Sequence, residues 1–353
     1  MPQHTWRMPL PSLWSRLTRI TILAFVLGII FASPAVALAR GPVALAAATH
    51  QVGNPTGMAV VLRWLSLITI AGFAGGFIIS MTCLQGVFLK SLGINWAAFW
   101  CRVALLVNAA MLAQHLWVLA ESTPITLTWV INMLTETQWG QAWLLRSVGL
   151  IMFILCTRSL AQVMLKPPSR VAPVAAALSI ILVSVTQSLA GHAAQSAFAL
   201  VLQTLHSLAA SVWMGGLIVM VLASAMLMRR SNSYHQQALK QMWVAFSHLA
   251  FASVVVLVIT GLFNLSQQVL DVSSISGWGA WLMTGYGQTL FVKIVVIAFV
   301  IVVTATNGVA LRGNAMSITK LLNRARLQVM LGVIILVITA LLTASSPANG
   351  SGF

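Results

Sequence analysis

The feature that most constrains this chain is a series of apolar stretches, each long enough to cross a bilayer. Eight of them lie near residues 58–81, 96–120, 141–164, 171–190, 198–228, 242–266, 288–311 and 327–344. A helix rises about 1.5 Å per residue, so roughly 18 to 20 apolar residues match the hydrocarbon thickness. Inside lipid every backbone polar group must be satisfied within the chain, which such runs achieve as helices. The sequence therefore predicts an all-α, polytopic membrane helix bundle of eight spanning helices with essentially no soluble domain. Composition agrees: 6% of residues are charged, against about 25% in soluble domains.

The net charge of +16 would suggest nucleic acid in a soluble protein, but here the basic residues sit at segment ends and in short loops. In that position they set topology and meet anionic lipid head groups, and no nucleic-acid motif accompanies them. Segments 121–140, 191–197 and 267–287 contain no Lys or Arg and hold all three acidic residues, Glu121, Glu136 and Asp271. The opposite loops carry Lys90, Lys166, Arg170, Arg229, Arg230, Lys240, Arg312, Lys320, Arg324 and Arg326. The positive-inside rule places the first set, with the C-terminus, on the outer side, which in a bacterium is the periplasm. The expected location is thus the bacterial inner membrane. Ahead of the first segment, Arg7, Arg16 and Arg19 precede the apolar run 20–32 and Ala35-Val36-Ala37-Leu38-Ala39. That order reads as a signal peptide over 1–39 or as a retained anchor helix. A short periplasmic stretch over 40–57 follows, and 348–353 forms a periplasmic tail.

An internal repeat runs through the spans. Thr137-Gln138-Trp139-Gly140-Gln141 leads to Arg146, and Thr284-Gly285-Tyr286-Gly287-Gln288 leads to Lys293, an offset of 147. Ala98-Phe99 matches Ala245-Phe246 at the same offset, and Gly75-Gly76 matches Gly215-Gly216 at 140. The chain divides on this reading into two four-helix halves, 58–190 and 191–347. Four is even, so both halves run the same way through the membrane and form a parallel repeat. A potassium filter is excluded for Thr284–Gly287, because it needs four copies around an axis.

Three carboxylates, all in loops, leave little for acid–base catalysis, and no nucleophile triad or phosphate loop is present. The expected function is therefore binding or transport rather than catalysis. The useful chemistry lies in His and Met. His206 stands about two turns inside its segment, where an imidazole must find a partner, either functional or structural. His192 lies in the short outer turn before the same segment. His115 shares a stripe with Cys101, Asn108 and Met111, and Met111 and His115 are neighbours at i, i+4. Imidazole and thioether together suit copper, whereas the same stripe in plain helix packing would need no ligand. Met214 follows His206 by eight residues and falls about 80° off its face. The candidate metal ligands are thus His192, His206, His115, Met111 and Met214. His248, near the opposite side, reads as interfacial. His235 and His50 lie in polar loops. The three cysteines show no paired spacing. Arg146 and Lys293 either reach to the outer surface or bind polar groups of a neighbouring helix.

Leu205-His206-Ser207-Leu208-Ala209-Ala210-Ser211-Val212-Trp213-Met214-Gly215-Gly216 resembles the central signature of the CopD copper-resistance family. Gly191-His192-Ala193, Phe246-Ser247 with Thr260-Gly261, and Thr284-x-Tyr286-Gly287 leading to Lys293 fit the same pattern, so the resemblance runs from about residue 58 to 347. It implies an eight-helix inner-membrane protein that moves copper from periplasm to cytoplasm, served by a separate periplasmic copper chaperone where one is needed. The chain departs from the pattern at Ser66, where such proteins often have His, at His248, where a basic residue is common, and at Gln328, where Glu is common. The alternatives are a haem-binding redox protein with axial ligands such as His115 and His206, and a scaffold that delivers copper to an enzyme without transporting it.

Overall fold

The structure, a computed structural model, describes residues 57–120, 124–163, 171–189, 196–228, 233–266, 282–312 and 317–344. The signal-peptide or anchor reading of 1–39, the stretch 40–56, the turn holding His192, and the tail lie outside the described residues. Among the described residues there are nine helices: α1 Gly57–Thr82, α2 Val87–Ala120, α3 Leu127–Glu136, α4 Gln138–Val163, α5 Val171–Leu189, α6 Ala197–Met228, α7 Ser233–Ser266, α8 Gly285–Arg312 and α9 Ile318–Ala344. All but α3 are long and apolar enough to cross a membrane. The protein is an all-α, multi-pass membrane bundle. Its two ends are called below the low-charge face, where α1, α4, α6 and α8 begin, and the basic face.

Hydrophobic length found every span but shortened three. Helix α2 starts at Val87 against the expected 96, α7 at Ser233 against 242 and α9 at Ile318 against 327, nine residues early in each case. The added turns carry Lys90, Lys240, Lys320, Arg324 and Arg326. They are helical and bury Leu89, Leu239, Leu321 and Leu322 in the core, but their charges end an apolar window short of them. The loop 121–140 also contains more than a loop. Thr126 caps α3 by accepting a hydrogen bond from the Trp129 backbone N–H at 3.2 Å, the usual device for satisfying a helix start. Helix α3 exposes Leu127 and Ile131 and buries Met133.

The helices pack in chain order around a ring. Each of α1, α2, α4 and α5 touches the next, α5 meets α6, the second four continue through α7, α8 and α9, and α9 returns to α1. The junctions α5–α6 and α9–α1 occupy equivalent places in the two halves, as a parallel repeat requires. Across the middle of the ring α1 packs on α6. These two are the most buried spans, 67% and 61% of their apolar windows, against 6% for α8.

The central crossing is made by the paired glycines. A Cβ placed on Gly75 would stand 2.1 Å from the Ser211 carbonyl oxygen and 2.8 Å from Gly215 Cα; one placed on Gly215 would stand 1.9 Å from the Ala71 carbonyl oxygen. Backbone meets backbone here, the close approach that small residues permit between membrane helices. Gly76 and Gly216 are the next pair: a Cβ on Gly76 would press on the Trp96 ring and one on Gly216 on Ile79 and Phe246. At the crossing α1 widens into a π-helical turn over Ala71–Gly75. Such turns often mark positions that matter for function.

The T-x-aromatic-G-Q repeat has a common local structure. Thr137 Oγ1 accepts from Gly140 N–H at 3.0 Å and Thr284 Oγ1 accepts from Gly287 N–H at 3.0 Å. Gln141 N–H bonds the Thr137 carbonyl and Gln288 N–H the Thr284 carbonyl, both at 3.0 Å. Each copy is a helix start, which explains Thr, Gly and their spacing in both halves. Gly140 has a further reason: a Cβ there would strike α3 at the Met133 carbonyl oxygen, 2.3 Å away.

Candidate functional site

His206 lies nine residues into α6, about 13 Å along the helix from its start. Helix α7 supplies its partner. The His206 Nδ1 is 2.8 Å from Thr260 Oγ1, and Thr260 donates its own hydroxyl proton to the Val256 carbonyl at 2.7 Å. With the Thr260 proton on the Val256 carbonyl, the hydroxyl accepts from Nδ1–H and Nε2 becomes the acceptor nitrogen of the ring. This is the arrangement by which a neighbouring group fixes a ligating histidine's tautomer and direction. One turn toward the low-charge face, Asn264 Nδ2 donates to Gln203 Oε1 at 2.9 Å, a second polar tie between the same helices. Gly261 adjoins the ring: a Cβ there would meet only His206 Cε1, at 3.9 Å. Lys293, on α8, is close enough for its charge to act on the imidazole.

The other predicted ligands do not gather at this point. Met214 is 2% exposed, and its Sδ would lie 2.4 Å from a Cβ on Gly332, so it is packed against α9. Met111 and His115 belong to the first half. Their helix, α2, packs on α1 and α4, and α6 is not among its main neighbours. The stripe predicted on α2 is real and faces α4. Cys101 Sγ–H points to the Leu150 carbonyl at 3.4 Å and Asn108 Nδ2 donates to Ser147 Oγ at 2.9 Å. His115 stacks on Trp139 with ring centroids 4.0 Å apart and 19° between planes. Met111 lines a small cavity with Trp139, Ala142, Trp143 and Arg146. His192 lies outside the described residues, and among the described residues no group of three or more His, Cys, Asp or Glu could hold a metal ion. His248 is half-buried on the half of α7 nearer the basic face.

Thr260 as the partner of His206 is a contact that spacing on α6 could not supply. Its signal lay in a hydroxyl set four residues from Asn264 on a largely apolar stretch of α7. Farther toward the basic face, the same half encloses a second cavity of about 30 Å³ between α6, α7, α8 and α9. Trp213, Trp243 and Phe246 form one side, and Ser247, Thr304, Asn307 and Gln328 supply polar atoms. Gln328 Nε2 donates to Thr304 Oγ1 at 2.8 Å, and Arg324 donates to Asn307 Oδ1 at 3.2 Å.

Comparison with known protein families, with curated proteins and with solved structures finds no match for this chain.

Proposed function

We propose that this protein handles copper in the bacterial inner membrane, with His206 as a fixed imidazole ligand near the periplasmic mouth of the second four-helix half. The observation that carries the reading is the His206–Thr260 hydrogen bond, because it presents a neutral ring nitrogen with a free lone pair inside an apolar helix bundle. Soft and borderline donors of this kind bind copper without burying a carboxylate. His192, fourteen residues before His206, is the second ligand that the sequence offers, and the CopD-like stretch 205–216 contains His206 itself. Lys293 specifies the charge state further. A cation at His206 meets its positive charge, and Cu(I) meets half the repulsion that Cu(II) does. This repulsion favours Cu(I) over Cu(II).

The polar cavity at Ser247, Thr304, Asn307 and Gln328 lies farther along the same half and supports movement toward the cytoplasm over storage. Haem is the less favoured cargo. Haem would draw its axial ligands from His115 and His206 on facing helices, but His115 is stacked on Trp139 in the other half. The test is purification in detergent under reducing conditions, loading with Cu(I), metal analysis and a visible spectrum. The expected result is about one copper per chain, lost in a His192→Ala, His206→Ala double variant. A Soret band without copper overturns the reading. Copper uptake into proteoliposomes then separates a permease from a delivery scaffold.

A further inference from the structure

Among the described residues Arg146 is the most deeply buried charge. It stands eight residues into α4 and is 6% exposed, so it does not reach the surface. Its Nη2 donates to the Thr186 carbonyl on α5 at 3.0 Å. Its Nε–H is buried and has no hydrogen-bond partner. The guanidinium stays charged in proteins, and one carbonyl dipole does not balance a full charge in a low-dielectric bundle. Among the described residues the only carboxylate is Glu136, which is exposed on α3.

A cavity adjoins this cation. It has a volume of about 30 Å³ and is bounded by Arg146, Met111, Trp139, Ala142 and Trp143. Trp143 is turned away from it in hydrogen-bonding terms, because its Nε1–H donates to the Asn108 carbonyl at 2.7 Å. The walls are therefore apolar and aromatic except for the guanidinium, and the space suits one or two water-sized guests. A water molecule placed there would accept from Nε but would not neutralise the charge.

We propose that this pocket in the first half binds a small monovalent anion, of halide size, held by the Arg146 guanidinium and enclosed by Trp139, Trp143, Met111 and Ala142. The anion satisfies the free Nε–H and cancels the buried charge, and the pocket is too small for a phospholipid phosphate. The site is separate from the His206 region and does not depend on the copper reading. It gives the same depth of the two halves opposite preferences: a cation ligand at His206 and an anion at Arg146.

The experiment uses the full chain purified in a neutral detergent. Sodium gluconate is replaced by sodium chloride or bromide at fixed ionic strength while thermal unfolding is followed. The expected result is a saturable rise in Tm of roughly 2 to 5 °C with either halide. Arg146→Gln abolishes it. Ala142→Leu, which keeps the charge and fills the cavity, abolishes it as well, so the proposal stays testable if Arg146→Gln fails to fold. An unsaturable or absent halide response in the wild type overturns the proposal, as does a response that survives in Ala142→Leu. Stabilisation by phosphatidylglycerol nanodiscs over phosphatidylcholine nanodiscs, with no halide effect, assigns the charge to lipid and also overturns it.

Discussion

The two halves start from matching positions and end with different chemistry. At an offset of 140, Ser66 on α1 corresponds to His206 on α6, just as Gly75 corresponds to Gly215. At an offset of 147, Arg146 on α4 corresponds to Lys293 on α8. Both halves thus place a cation eight residues inside the helix that begins with the Thr cap. In the first half that cation is buried, bonded to Thr186 on α5, and beside a cavity. In the second half Lys293 is only partly exposed and near enough for its charge to act on the His206 imidazole. Ser66 spends its backbone locally, its carbonyl accepting from Thr69 Oγ1 at 3.0 Å. The comparison teaches that the repeat conserves scaffold, namely caps, crossing and ring order, while the side chains between them diverge into separate sites.

The scaffold side of this comparison predicts the largest effect. Gly215→Leu forces a side chain into the Ala71 carbonyl and should cost about 3 kcal/mol or more, read as loss of folded protein or a steep fall in Tm. Gly285→Ala, where a Cβ meets nothing within 4 Å, is the matched control and should change little. A tolerated Gly215→Leu would break the view that the halves meet backbone to backbone.

Removing the ligand comes next. His206→Ala should lower Cu(I) affinity by more than tenfold in a competition titration, whereas Ser66→Ala leaves it unchanged. An equal loss in both would mean that the halves share one site. Thr260→Val keeps the shape but removes the acceptor for Nδ1–H, and should weaken Cu(I) binding about tenfold. If Thr260→Val binds as wild type, the tautomer argument fails. The smallest effects come from the caps. Thr137→Val and Thr284→Val should each destabilise by about 1 kcal/mol, Thr137→Val by the more because its hydroxyl also donates to the Met133 carbonyl, as measured by thermal unfolding. Equal losses would show that neither copy of the motif does more than start its helix.

The spans and the repeat were legible in the sequence because hydrophobic length and motif spacing are both one-dimensional properties. The face that α2 turns toward α4 was legible too, since Cys101, Asn108, Met111 and His115 repeat at helical spacing. What could not be read was which helices meet. Met111 and His206 both looked like members of one metal site, but they belong to opposite halves of the ring, a matter of packing order. Arg146 left two readings open, reaching to the surface or bonding a neighbouring helix. Its bond to Thr186 decides for the second, and that bond joins residues 40 apart in sequence. The basic extensions of α2, α7 and α9 were missed for a different reason: a membrane criterion sees hydrocarbon, and these turns lie beyond it.

Those extensions have a mechanical consequence. Nine extra residues make a post about 13 Å tall, and α2, α7 and α9 raise three such posts from one face. Helices α2 and α7 hold matching places in the ring and α9 stands beside α1, so the posts are spread around the rim rather than gathered at one point. Each carries Lys or Arg that cannot enter the acyl chains without heavy cost. Charged turns at three places around one end make that end costly to draw into hydrocarbon. A bilayer a few ångströms thicker or thinner would then have to adjust around the protein, with its seating depth set from the charged side.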